Sequence, residues 1–186
     1  MNVVEIKLVE TIDQIRRIKK LQEENLRTAI SEDEAIGQGF LTASYTLEYL
    51  IEMNQAAPSV IALDGEEVVG YAMVTIQSQR NGHDLIQDLF NTIDNTYYND
   101  QLLRNTNYVV VGQLCVAKSH RGLGLVQKLY GHFRDCYSSE YEYLVTDVAQ
   151  ANTRSLKAHA KTGFEVIDTL TYGGIKWDIV LWDWRK

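Results

Sequence analysis

The sequence holds only two cysteines, Cys115 and Cys136, and one proline, Pro58, among 186 residues. Two distant cysteines exclude a disulfide framework. Their apolar neighbours point to buried free thiols. The four histidines, His83, His120, His132 and His159, show no metal-ligand spacing, so no metal is expected. No run of about 18 apolar residues occurs, which argues against a membrane span. The opening MNVVEIKLVE lacks a basic region followed by an apolar run, so it does not read as a signal peptide and the cytoplasm is the expected location. Basic residues are also scarce, 18 against 25 acidic ones, for a formal net charge of -7. That balance argues against broad nucleic-acid binding, which needs a basic face. It is compatible with a cationic substrate such as an amine, although surface acidity commonly serves solubility alone.

The hydrophobic content of 45% and charged content of 23% are those of a globular chain able to bury a core without staples. The length suits a single domain over residues 1–186. Val4, Ile6 and Leu8 alternate as in a strand. Thr11 and Gln14 form a capping-box signature ahead of a helical face made by Ile12, Ile15, Ile18 and Leu21. The polar stretch SEDEAIGQG breaks the pattern, and Leu47, Leu50 and Ile51 suggest a second helix. Strands are expected near 58–64 and 67–77, joined by the turn Asp64-Gly65-Glu66. Residues 78–106 read as an inserted helix with loops, because Leu85, Ile86, Leu89, Phe90 and Ile93 have helical spacing. Tyr108 to Val116 is an apolar run of the kind found in a strand buried on both faces, and Gly112 inside it signals a bulge or a close backbone approach. A helix with Leu125, Leu129, Phe133 and Cys136 on one face follows. Then come a strand at 143–148, a short helix at 152–162 stopped by Gly163, and two final strands joined through Gly173-Gly174. The order predicts an α/β fold, a mixed central sheet flanked by helices with a helical insert between its third and fourth strands.

The turn His120-Arg121-Gly122-Leu123-Gly124-Leu125-Val126 follows a buried strand and opens an amphipathic helix. The first N–H groups of a helix lack internal partners and, with the helix dipole, favour an anion. Glycines admit a phosphate close to the backbone, and Arg121 adds a planar charged donor. The pattern is not a P-loop, since no Gly-Lys-Ser/Thr ends it. Nor is it a dinucleotide fingerprint, since Gln127 stands where the third glycine would be. On the residues alone the choice lies between a phosphate cradle and a tight strand-to-helix turn. Further on, Asn152, Ser155 and His159 are spaced by three and four and share one helical face. On the residues alone this is equally a capped helix carrying a surface histidine.

Together the two segments resemble motifs A and B of the GNAT acetyltransferases. In motif A, Arg121 and Gly124 match, and Val126 replaces a small residue near the pyrophosphate. In motif B, an Asn opens the helix and Gly163-Phe164 closes it. The resemblance covers roughly residues 107–170. It implies an N-acetyltransferase that moves an acetyl group from acetyl-CoA to a primary amine of a small molecule or peptide by direct attack. It also implies coenzyme A as cosubstrate and no metal. Leu114, Cys115 and Val116, on a strand that splays from its neighbour, would hold the pantetheine arm and the thioester carbonyl. Arg121, Gly122, Leu123, Gly124, Leu125 and Val126 would hold the pyrophosphate, and Asn152 and Ser155 would contact the cofactor from a helix face that looks toward its thiol end. His159 stands where many relatives carry a tyrosine and is the candidate general acid for the departing thiolate. Asp147 is a candidate base, or equally a cap for the following loop. The alternative is a non-catalytic acyl-CoA-binding module with the same fold. Nothing in the sequence fixes the acceptor or the oligomeric state, a homodimer included.

Other constellations are weaker. Cys115 lies mid-strand among apolar residues, which favours packing over nucleophilic chemistry. Trp177, Trp182 and Trp184 read as sheet and core residues. Tyr97 and Tyr98 could line an acceptor pocket or simply pack the insert.

Overall fold

A computed structural model describes residues 3–31 and 40–186. Most of the polar stretch SEDEAIGQG lies outside the described residues. In chain order the elements are β1 Glu5–Leu8, α1 Ile12–Glu24, α2 Leu47–Ala56, β2 Val60–Asp64, β3 Glu67–Thr75 and α3 Asp84–Asn95. They continue as β4 Tyr97–Tyr98, β5 Gln101–Leu102, β6 Tyr108–Val116, α4 Leu125–Tyr137, β7 Tyr143–Ala149, α5 Thr153–Thr162, β8 Glu165–Tyr172 and β9 Ile175–Asp183.

Local chemistry sets the boundaries. The capping box before α1 forms: Gln14 N donates to Thr11 Oγ1 at 3.2 Å while the Gln14 side chain accepts from the Thr11 N–H. Gly65 turns β2 into β3 at φ +61°, and Gly163 ends α5 at φ +117°. The insert departs from the expected helix with loops. After α3 the chain makes a small hairpin, β4 against β5, turned by Asn99 and Asp100 at φ +50° and +63°. Asn and Asp tolerate the left-handed region that a tight hairpin turn requires.

Seven strands form one mixed sheet in the order β1-β2-β3-β6-β7-β9-β8. Only β6 and β7 run parallel; all other neighbours are antiparallel. The sheet carries a core on each face. Ile15, Ile18 and Leu21 of α1, Leu50 and Met53 of α2, and Leu89 and Phe90 of α3 cover one face. Leu125, Leu129 and Phe133 of α4 cover the other, with Leu156 of α5 at its margin. This is the fold expected from the sequence.

Candidate active site

The site starts from two irregularities in the centre of the sheet. The first is a bulge. Along β3, Met73 pairs with Gln113 and Val74 with Val111, so Gly112 is the extra residue. A bulge reverses the side-chain alternation of its strand. Tyr108 and Val110 face the α1–α3 layer; after the bulge Gln113 and Cys115 do so. A Cβ at Gly112 would lie 2.4 Å from Thr75 Oγ1, so the close approach demands glycine. The second irregularity is a splay. β6 and β7 pair only from Tyr108–Tyr143 to Val110–Val145. Beyond that point β6 stays with β3 and β7 stays with β9. The Thr146 hydroxyl donates to Val111 O at 2.7 Å where the ladder stops.

A buried polar network fixes the bulge. Gln113 Oε1 accepts from Gln22 Nε2 at 2.8 Å and from the Tyr71 hydroxyl at 2.6 Å, and Gln113 Nε2 donates to Ala43 O at 2.8 Å. Gln22 Oε1 accepts from Tyr45 N at 2.9 Å, and the Tyr45 hydroxyl donates to Gly112 O at 3.1 Å. Polar groups removed from water must find partners, so this set locks α1, residues 43–45, β3 and β6 into one arrangement.

A cavity of about 350 Å³ opens at the splay between β6, the glycine turn and α5. Gly122 and Gly124 have φ of +83° and +72°, and Gly124 caps α4 with no side chain on its amides. A Cβ at either glycine would meet nothing within 4 Å, so backbone conformation and not crowding selects glycine here. The α4 N-terminus, with its unsatisfied N–H groups, therefore faces open space. Arg121, Arg154, Lys157 and Lys161 line this cavity, and among the described residues no acidic one does. In a chain of net charge -7 that is a local concentration of positive charge suited to an anion. The donor set fits a di- or polyphosphate. Arg121 also anchors the turn: its Nε donates to Val116 O at 3.2 Å and its Nη2 to Asn25 Oδ1 at 2.6 Å.

Of the residues read from the sequence as cofactor-binding, Leu114, Cys115, Val116, Arg121, Gly122, Gly124, Leu125, Val126, Asn152 and Ser155 come together around this cavity. Leu123 is exposed and does not line it. Burial pushes the Cys115 thiol up to about 12, which fits a packing side chain and not a thiolate nucleophile.

His159 lines the cavity but is buried, 4% exposed. Its Nδ1 lies 2.8 Å from Ser155 O, and a carbonyl can only accept, so Nδ1 carries the proton. Its Nε2, 2.6 Å from the Tyr130 hydroxyl, must then accept. Burial pushes the ring's pKa down to about 4. Neutral, with both nitrogens engaged, the ring has no spare proton, which the expected general-acid role would require.

A second, smaller cavity of about 80 Å³ adjoins the first and shares Leu114, Asn152, Ser155 and His159 with it. Asp147 lines it from β7. Its Oδ2 is buried without a hydrogen-bond partner, and burial pushes the carboxyl up to about 7. Leu85 of the insert lines this cavity, and His83 packs edge-on against Tyr45 with ring centroids 5.0 Å apart. Tyr97 and Tyr98 line neither cavity. Tyr97 is exposed, and Tyr98 packs against Tyr143, its hydroxyl engaged with Glu165 and Lys186.

Sequence reasoning missed three groups of residues. Arg154, Lys157 and Lys161 recur at three and four along α5, a readable stripe beside the one noted for Asn152, Ser155 and His159. Gln22, Tyr45 and Gln113 carry no local signal, because tertiary packing alone unites them. Trp177, expected as a core and sheet residue, is one, and it also borders the smaller cavity. Among the described residues, no group of His, Cys, Asp and Glu could hold a metal ion, and no helix is long and apolar enough to cross a membrane.

No curated protein sequence matches the chain. Solved structures resemble it closely in fold. An acetyltransferase of the GNAT family from Streptococcus agalactiae superposes with a TM-score of 0.67 at 16% identity, over 98% of this chain and 96% of its own. The yncA protein of Salmonella typhimurium, solved with acetyl-CoA, gives 0.63 at 14% identity, over 98% and 94%. A chain of the NatC complex, solved with a Gag peptide and CoA, gives 0.68 at 14%, over 98% and 99%. The family model described as Acetyltransferase (GNAT) family matches residues 18–164, which include the bulged strand, the glycine turn, the splay and α5. The chain thus belongs to the GNAT acetyltransferase family.

Proposed function

We propose that the protein transfers an acetyl group from acetyl-CoA to a primary amine by direct attack, without an acyl-enzyme. The observation that carries this reading is the pair of adjoining cavities at the splay, one ringed by cations and amides, the other holding a buried carboxylate. Acetyl-CoA supplies the thioester carbonyl that the amine attacks. The α4 N-terminus with Arg154, Lys157 and Lys161 binds the phosphates. The half of β6 beyond Val110, unpaired with β7, offers backbone groups to the acyl-pantetheine arm. The amine enters from the smaller cavity. As its lone pair forms the N–C bond and the C–S bond breaks, Asp147 Oδ2 takes the nitrogen's proton. A carboxyl held near 7 is matched to that task. His159 serves as a positioning residue. Its Nδ1 also lies 3.4 Å from the Oγ of Ser155, a residue that lines both cavities. The thiolate is protonated from solvent, since a thiol with an ordinary pKa of about 8.5 is a fair leaving group. The cytoplasm suits such a reaction.

The test is thiol release from acetyl-CoA with a panel of primary amines. Wild type should turn over, and Asp147→Asn should lower kcat by about 10²–10⁴ while coenzyme A affinity holds. Tight coenzyme A binding without any acetylated amine would favour a non-catalytic binding module.

A further inference from the structure

The smaller cavity contains a second unused polar group. Trp177, on β9, is 7% exposed, and its Nε1–H is buried without a partner, like Asp147 Oδ2. Both residues line the cavity. Trp177 pairs with Ala149 and Ile179 with Asp147 across the β7–β9 ladder, so Trp177 and Asp147 are diagonal neighbours on one face of the sheet. Several other polar side chains of the cavity are committed: Tyr45 to Gly112 O, Thr146 to Val111 O, Gln113 within its network, His159 to Ser155 and Tyr130, and Asn152 Oδ1 to Ser155 N; Thr42 and Ser155 add hydroxyls to the wall. Phe40, Leu41 and Leu85 add apolar wall, and among the described residues no Lys or Arg lines the cavity.

A buried donor and a buried acceptor left without partners in one pocket describe their ligand by complement. We infer that Asp147 and Trp177 select an amine that carries an uncharged acceptor oxygen a few bonds from its nitrogen. Amino alcohols, amides of α-amino acids and the N-terminal residue of a peptide share this chemistry. The neutral amine donates an N–H to the Asp147 carboxylate, and the oxygen accepts from the Trp177 indole. A free amino acid fits poorly. Its carboxylate would meet a single neutral donor and no cation, beside an existing carboxylate, and a buried charge needs a charged partner. A plain alkylamine leaves the indole N–H unsatisfied, which a site built to hydrogen-bond its substrate penalises.

This inference rests on the acetyl-transfer reading and deepens it, and one experiment separates the two. Relative kcat/KM is measured with acetyl-CoA for a matched set: an alkylamine, an amino alcohol of equal length, an amino-acid amide, the free amino acid and a short unblocked peptide. Binding of each amine to the coenzyme A-loaded protein is followed by calorimetry. The acceptor-bearing amines should exceed the alkylamine about three- to tenfold, the yield of one buried neutral hydrogen bond, and should exceed the free amino acid by more. Trp177→Phe, which keeps a large aromatic ring and removes the N–H, should bring the ratio to the alkylamine close to one. The amide and peptide arms then distinguish a small acceptor from a peptide terminus. An unchanged ratio in Trp177→Phe, or a free amino acid as best substrate, overturns the inference and leaves acetyl transfer standing. Absence of coenzyme A binding overturns both.

Discussion

Two side chains with displaced protons, the buried His159 and the half-buried Asp147, bear on the proposed chemistry. Asp147 is held up to about 7 by burial, the reverse of the usual shift for an aspartate. As a base it works only when ionised, so kcat/KM should rise with pH through about 7, and Asp147→Asn should flatten that limb. Stability should run the other way. The unfolded carboxyl ionises near 3.8 and the folded one near 7, so the folded state keeps its proton between these values. Stability from this group is complete below 3.8 and is lost as pH rises through 7. At pH 8 Asp147→Asn should therefore unfold at higher denaturant than wild type, by up to roughly 4 kcal/mol. An Asn variant less stable at pH 8 would contradict the burial of the charge. For His159, a ring held neutral with pKa near 4 predicts that His159→Ala lowers kcat less than about tenfold. A general acid would instead be worth 10²–10⁴. A hundredfold loss with coenzyme A affinity retained would restore the acid role.

At the scale of elements, the helices and strands were readable because their signals are local. Thr11 with Gln14, Asp64-Gly65-Glu66 and Gly163 each mark a boundary that the structure places within a residue or two of expectation. The β4–β5 hairpin was not readable: its strands have two residues each, too few for any alternation to register. Gly112 gave a correct hint, but only the β3 register reveals that it reverses which β6 residues face the smaller cavity. Hence Gln113 could not be assigned a face from the sequence, nor could its partners Gln22 and Tyr71, 91 and 42 residues away. Gly112→Ala should cost about 1–3 kcal/mol by overpacking against Thr75 and should disturb the amine cavity more than the phosphate one. Denaturant unfolding together with separate KM values for amine and acetyl-CoA checks this. A rise in acetyl-CoA KM alone would contradict it.

Over the whole molecule, the sheet acts as a frame that opens at its one parallel pair. Residues 40–43, Tyr45, Leu85 and the facing strands β6, β7 and β9 line the smaller cavity, and the glycine turn before α4 with α5 lines the larger one. The acidic surface and the cationic cavity coexist because Arg154, Lys157 and Lys161 gather on a single face of α5. The most direct test of the phosphate cradle is a calorimetric titration of coenzyme A into wild type and Gly124→Val, each confirmed as folded by circular dichroism. Gly124 sits at φ +72° with open space around it, so a β-branched side chain must reshape the start of α4 and not merely crowd a neighbour. Wild type should bind, and the variant at least tenfold more weakly, a loss of about 1.4 kcal/mol. Equal affinity in a folded Gly124→Val protein would contradict the placement of the pyrophosphate on the glycine turn.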